Sequence, residues 1–187
     1  GVSVTGANVT ETNGGGIDNN GATLIVQNAS EIISNTAANN GGGIHNNGTL
    51  TVTDSAIGGA GVPNFADDDG GGLYNGVAGT TTVTSSRILY NIATDRGAGM
   101  YSFAETKHAV RVTGSCIVGN RRISFNNATE LQQVATGNWW GAPTGPNSFG
   151  ADSVVGNFDT SDFLTAPILG CPGLNMVYLP LVVNSNP

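Results

Sequence analysis

The chain has 187 residues, 39% of them apolar and 10% charged, and a formal net charge of −7 from 13 Asp and Glu against 6 Lys and Arg. That balance leaves no basic stripe to displace counterions from a phosphate backbone, so nucleic acid is excluded as a partner and anionic membrane surfaces are disfavoured. No apolar run approaches the roughly 20 residues that span a bilayer and no charged-then-apolar leader opens the chain, which reads as a processed product or an excised piece.

In chain order, Gly1-Val2-Ser3-Val4 already looks like the second strand of a repeat, because Val9 follows Val4 at the interval at which Ile57 follows Val52. A chain that opens inside a repeat presents an unpaired strand edge, which invites pairing with another chain.

Glycine runs then set a period. Residues 13–17 (NGGGI), 40–44 (NGGGI), 69–73 (DGGGL) and 96–100 (RGAGM) place Gly14, Gly41, Gly70 and Gly97 at steps of 27, 29 and 27 residues. Each run ends on an apolar residue and is followed by two further apolar bursts. They are Leu24-Ile25-Val26 with Ile32-Ile33, Leu50-Thr51-Val52 with Ala56-Ile57, Thr81-Thr82-Val83 with Ile88-Leu89, and Val110-Arg111-Val112 with Ile117-Val118. The bursts are too short and too β-branched for helix, and Gly, Asn and Ser turns separate them.

Three strands per repeat predict one coil of a β-solenoid. A unit that cannot bury its own apolar face must stack on its copies, about 4.8 Å apart, and residues 1–137 hold about five to six such rungs. The 29 glycines serve tight turns and close rung-to-rung approach.

After residue 137 the repeat breaks, and residues 138–173 read as a closing segment. Trp139 and Trp140 are the bulkiest plugs available for the open end of the core, with one of them inside because strand neighbours face opposite sides. Pro143 and Pro146 are expected to stop further rungs from adding. Cys116 and Cys171 bracket this junction and predict a disulfide pinning the segment to the rod, a bond that persists outside the cell. In residues 174–187 the apolar stretch 174–183 (LNMVYLPLVV) is expected to run along the rod's flank or to be donated to a neighbour. Val177, Tyr178, Leu179, Leu181 and Val182 thereby join Val2 and Val4 as a self-association set.

Candidate chemistry is thin. In-register stacking puts Asp18, His45, Tyr74 and Tyr101 in one surface column, which suits contact with sugar rings. One carboxylate beside one histidine falls short of the paired carboxylates of glycoside hydrolysis, so no catalytic residue is assigned. Asn19, Asn46 and Asn75 are expected to form an amide ladder. Asp67-Asp68-Asp69 sits in what reads as the longest insertion; adjacent carboxylates attract calcium but cannot encircle it without other oxygens, so no cofactor is expected beyond a weak structural calcium. Lys107 and His108, with Glu105, match a polysaccharide lyase in composition only. Outward Ser3, Thr5, Thr51, Thr53, Thr82, Thr84 and Thr113, interrupted by Ile25 and Arg111, form an exposed strand face. The sequons at Asn8, Asn28, Asn47 and Asn127 are expected by chance in so Asn-rich a chain.

Residues 14–17 and their copies, with Ile32-x-x-Asn35, Ile88-x-x-Asn91 and Ile117-x-x-Asn120, resemble the paired GGxI and FxxN motifs of polymorphic outer-membrane protein repeats, with Ile in place of Phe. The rung after Ile57 departs from the pattern, having glycine and alanine where Asn is expected. Residues 138–146 (NWWGAPTGP) through Phe163 are similar to the closing segment of secreted right-handed parallel β-helix proteins. Together the resemblances cover nearly the whole chain. They imply a single-stranded right-handed parallel β-helix, extracellular or on the cell surface, structural or adhesive and not enzymatic. A filament of rods stacked end to end is the sharpest form of that expectation. The rival expectation is a carbohydrate-binding or polysaccharide-degrading module that contacts surface glycans.

Overall fold

The structure is a computed structural model and describes residues 1–172. Among them there is no helix, and therefore none long and apolar enough to cross a membrane; 21 short strands pair in parallel into four sheets. The fold is a β-solenoid of about six turns, as the glycine period predicts.

A full coil contributes four strands rather than three. One sheet stacks the glycine-run strands from Ile17–Asn19 to Ser153–Val155, and the next stacks Thr23–Val26 to Phe158–Asp159. A third stacks Ser3–Thr5, Glu31–Ile33, Ala56–Ile57, Arg87–Leu89 and Cys116–Val118. The fourth is built from two-residue strands, Asn8–Val9, Thr36–Ala37, Phe65–Ala66 and Ile92–Ala93. Two residues carry no periodicity, so nothing in the pattern announces them. The opening strand also shifts by one position: Ser3 and Val4 pair with Glu31 and Ile32, so residues 1–4 belong with the third burst of the repeat and not the second.

Register superposes like on like. Ile17, Ile44, Leu73, Met100 and Phe125 form one inward column. Val26, Val52, Val83 and Val112 form another, and Val4, Ile32, Ile57, Ile88 and Ile117 a third. Most of these side chains are fully buried, each worth about 1.5–3 kcal/mol relative to exposure. The glycines make the stacking this tight. A Cβ on Gly42 would strike the Phe65 carbonyl oxygen on the next coil, and one on Gly71 would strike that of Ile92.

Polar ladders run along the four corners. At one corner Ser30, Ser55, Ser86 and Ser115 each accept a backbone N–H from the coil before, and Asn138 closes the series by accepting from Ser115 N at 2.9 Å. At the next, Asn35, Asn64, Asn91 and Asn120 each donate Nδ2 to the following rung. Each also donates Nδ2 to a third-sheet carbonyl of the preceding coil, those of Val4, Ile32, Ile57 and Ile88. Asn64 supplies the amide missing from the Ile-x-x-Asn position after Ile57: residues 58–63 stand where other coils have two residues and displace it along the chain. The predicted ladder of Asn19, Asn46 and Asn75 occupies the third corner, with links of 2.7 and 3.0 Å. At the fourth, Asn13 accepts from Asn40, Asn40 from Asp69 N, and Asp69 from Arg96.

Pairing continues past Pro143 and Pro146. Both lie in a turn-rich stretch, after which Ser153–Val155 and Phe158–Asp159 each add a strand to the stack. The prolines interrupt a coil without ending the stack.

Candidate functional site

The column Asp18, His45, Tyr74, Tyr101 exists in register on the outer face of the glycine-run sheet. Its members bond to one another. His45 Nδ1 donates to Asp18 Oδ1 at 2.8 Å, and the rings of His45 and Tyr74 stack at 5.1 Å, followed by Tyr74 and Tyr101 at 5.3 Å. The left-handed glycines Gly41, Gly70 and Gly97 let the chain fold back beneath these side chains: a Cβ on any of them would meet the backbone or Cβ of His45, Tyr74 or Tyr101.

The ring planes are therefore turned toward neighbouring coils, and the facing sides of His45, Tyr74 and Tyr101 cover one another. His45 and Tyr101 are buried and Tyr74 is partly buried, so mainly edges and polar tips remain for a ligand.

A second pair, not anticipated, flanks the column. Arg96 donates Nε and Nη2 to the two carboxylate oxygens of Asp69 at 3.2 and 2.9 Å, and its backbone N donates to Oδ1 at 3.0 Å. The same guanidinium lies 5.0 Å from the centroid of the Tyr101 ring. Burial pushes the Asp69 carboxyl up, against the pull of Arg96. Burial and then the Asp69 charge push the Tyr74 and Tyr101 phenols up. The signal for this pair was present: the residue before the glycines runs Asn13, Asn40, Asp69, Arg96, with opposite charges in adjacent copies.

The weak calcium candidates are placed differently from expectation. Asp67-Asp68-Asp69 lies in a turn matched by residues 38–40 and 94–96, while the insertion is at residues 58–63. Asp69 is spent on Arg96, and among the described residues no cluster of three or more His, Cys, Asp or Glu could hold a metal. His108 Nε2 lies 3.4 Å from Gln132 Oε1 at the surface. Of the threonine face, Thr51 and Thr82 align with Arg111, and Thr53 and Thr84 align with Thr113, whereas Ser3 and Thr5 sit on another sheet.

Only Trp140 enters the rod's core, as strand alternation predicts, yet both tryptophans are buried. Trp140 enters the main core edge-on to Phe125, centroids 5.2 Å apart. Trp139, the residue before it, bridges Cys116 and faces out, where Leu164, Ile168 and the disulfide-linked Cys171 pack over it and its Nε1 donates to the Pro172 carbonyl at 3.2 Å. The returning segment makes an interior on the outer side of the sheet. Cys116 and Cys171 are joined, Cα atoms 5.8 Å apart, and the bond is compatible with an oxidising compartment.

At the opening end, Val2 is 70% exposed and Val4, Ile17 and Leu24 are only partly covered. With Ile25 and Val26 they line an apolar hollow of about 100 Å³. Val177, Tyr178, Leu179, Leu181 and Val182 lie outside the described residues. No family model, no curated protein and no solved structure matches this chain.

Proposed function

We propose that the chain is an extracellular β-solenoid that works as a structural or adhesive rod and performs no chemistry. The observation that carries this reading is the mutual neutralisation of its reactive side chains: Asp18 holds His45, Asp69 holds Arg96, and the aromatic rings between them cover one another. An acid–base catalyst needs such groups turned toward a substrate. The disulfide and the resemblance to surface repeats and secreted β-helices support the extracellular placing. The apolar hollow at Val2, Val4 and Leu24 supports contact between rods, end to end.

Two measurements test this. Incubation with acidic and neutral polysaccharides is expected to release no new reducing or unsaturated ends; turnover of any of them would overturn the reading. Analytical ultracentrifugation is expected to show concentration-dependent association that Val2→Asp weakens, and a species of 18.9 kDa at every concentration would remove the end-to-end element.

A further inference from the structure

The residue that follows the third-sheet strand takes a left-handed turn in several coils, at Gly6, Ser34, Tyr90 and Gly119, with φ of 73°, 55°, 56° and 75°. Three of these are the small residues such a turn favours. Tyr90 is not, and a bulky side chain held there is strained, the kind of outlier that concentrates at binding sites. Its neighbours accommodate it. A Cβ on Gly119, in the next coil, would collide with the Tyr90 ring, so glycine there leaves the ring room to lie along the rod.

In the preceding coil residues 58–63 replace a simple turn, and Gly61 and Pro63 from this longer segment line the same notch as Tyr90. Gly61, Pro63, Tyr90, Ile92, Gly119 and Arg121 together line a notch of about 270 Å³. Tyr90, Pro63 and Ile92 give it apolar sides. Arg121 is exposed, and among the described residues its guanidinium has no hydrogen-bond or ion-pair partner.

The volume is at the low end for ligand sites and suits one ring rather than a chain of them. An aromatic wall takes the face of a ring, and a guanidinium fork takes a carboxylate through two parallel N–H bonds. We propose that this corner notch binds a six-membered ring bearing one carboxylate, stacked on Tyr90 with its carboxylate on Arg121. A sugar acid and an aromatic acid share that chemistry. The site lies apart from the Asp18 to Tyr101 column and does not depend on the scaffold reading, whose polysaccharide and association tests are read separately.

Ligand-observed saturation-transfer NMR on the whole chain, with glucuronate, benzoate and glucose each at about 10 mM, tests it. Glucuronate alone identifies a sugar acid, benzoate alone an aromatic acid, and either or both support the site provided glucose is silent. Arg121→Gln is expected to weaken binding about tenfold with an unchanged melting temperature, because it removes the charge-assisted fork. Tyr90→Gly keeps the left-handed turn, removes the wall, and is expected to abolish the signal. Silence from both acids, equal binding of glucose, or wild-type affinity in Arg121→Gln overturns the proposal.

Discussion

Asn120 gives both its backbone N–H and its side-chain Nδ2–H to a single oxygen, Oδ2 of Asp152, at 3.4 and 3.1 Å. A ladder of four asparagines thus ends on a carboxyl, and Asp152 N in turn donates to the Trp140 carbonyl at 2.8 Å. The last rung is the only ionisable one, and it belongs to the segment that closes the core.

The first prediction is acid stabilisation at that rung. Burial raises the Asp152 carboxyl to about 6 from 3.8, against the donors of Asn120. The folded state therefore binds the proton more tightly than the unfolded chain, so this contribution is full below pH 3.8 and is lost as pH rises through about 6. The span corresponds to about 3 kcal/mol. Asp152→Asn keeps the acceptor, and its Nδ2 falls where the ladder's pattern directs it, toward the Ile117 carbonyl. Urea unfolding is expected to find the variant more stable than wild type at pH 7 and equal to it near pH 4. A gap that stays constant across that range would contradict the burial argument.

The second prediction concerns the ladder's middle. Asn91 Oδ1 accepts from both Asn64 N and Asn64 Nδ2, and its own Nδ2 donates to Asn120 and to the Ile57 carbonyl. Asn91→Ala removes the acceptor shared by Asn64 N and Asn64 Nδ2, of which only Nδ2 keeps another partner, the Ile32 carbonyl, and it strips the Ile57 carbonyl of its donor, all in a fully buried corner. The cost is expected to be about 3–5 kcal/mol, since each orphaned buried group costs about 1–3 kcal/mol and some water will enter. Asn39→Ala, an exposed-side control in a neighbouring turn, is expected to cost less than about 0.5 kcal/mol. Comparable losses in the two variants would show that the ladder adds nothing special.

How much of this the residues disclose depends on repetition. Gly14, Gly41, Gly70 and Gly97 recur because each coil needs the same left-handed turn and the same close approach, so the stacking is readable from them. The two-residue strands such as Phe65–Ala66 are not, being held by register and not by their own pattern. Asn64 is hidden because six residues separate it from Ile57 where other coils have two, an insertion of four. The column Asp18, His45, Tyr74, Tyr101 is legible as a column, but its self-pairing is not, because phase gives position and says nothing of where ring faces turn. Burial of both Trp139 and Trp140 escapes strand alternation because a distant segment covers the outer one.

That covering segment gives the third prediction. Cys116 and Cys171 close a span of 55 residues, and on the chain-entropy view the bond contributes roughly 4 kcal/mol. Replacing both cysteines by serine is expected to lower stability by up to that amount and to loosen the segment over Trp139. Tryptophan emission should then shift to the red and quenching by acrylamide should rise, while the circular dichroism of the stacked strands stays unchanged. Unaltered quenching would mean that Leu164, Ile168 and the Pro172 carbonyl hold the segment unaided.

The fourth prediction separates the two charged pairs. The Asp69 side chain is 9% exposed and that of Arg96 is 47% exposed, so the pair is half in water and its net worth is small while intact. Removing the cation is another matter, because it leaves the shielded carboxylate with a backbone N–H at position 96 and the like charge of Asp68, and no cation to offset them. Arg96→Gln is expected to cost about 1–2 kcal/mol at pH 7, screening having already reduced the figure. The sign with pH follows from burial. Asp69 already sits above 3.8 with Arg96 present, and without that guanidinium its folded value rises further, so the variant's deficit is present while Asp69 is charged and shrinks as pH falls toward 4. Asp18→Asn, by contrast, touches a carboxylate that is 46% exposed and is expected to change stability by less than about 1 kcal/mol at pH 7. Should Arg96→Gln prove as mild as Asp18→Asn at every pH, the flank of the Tyr101 ring is wetter than its geometry indicates.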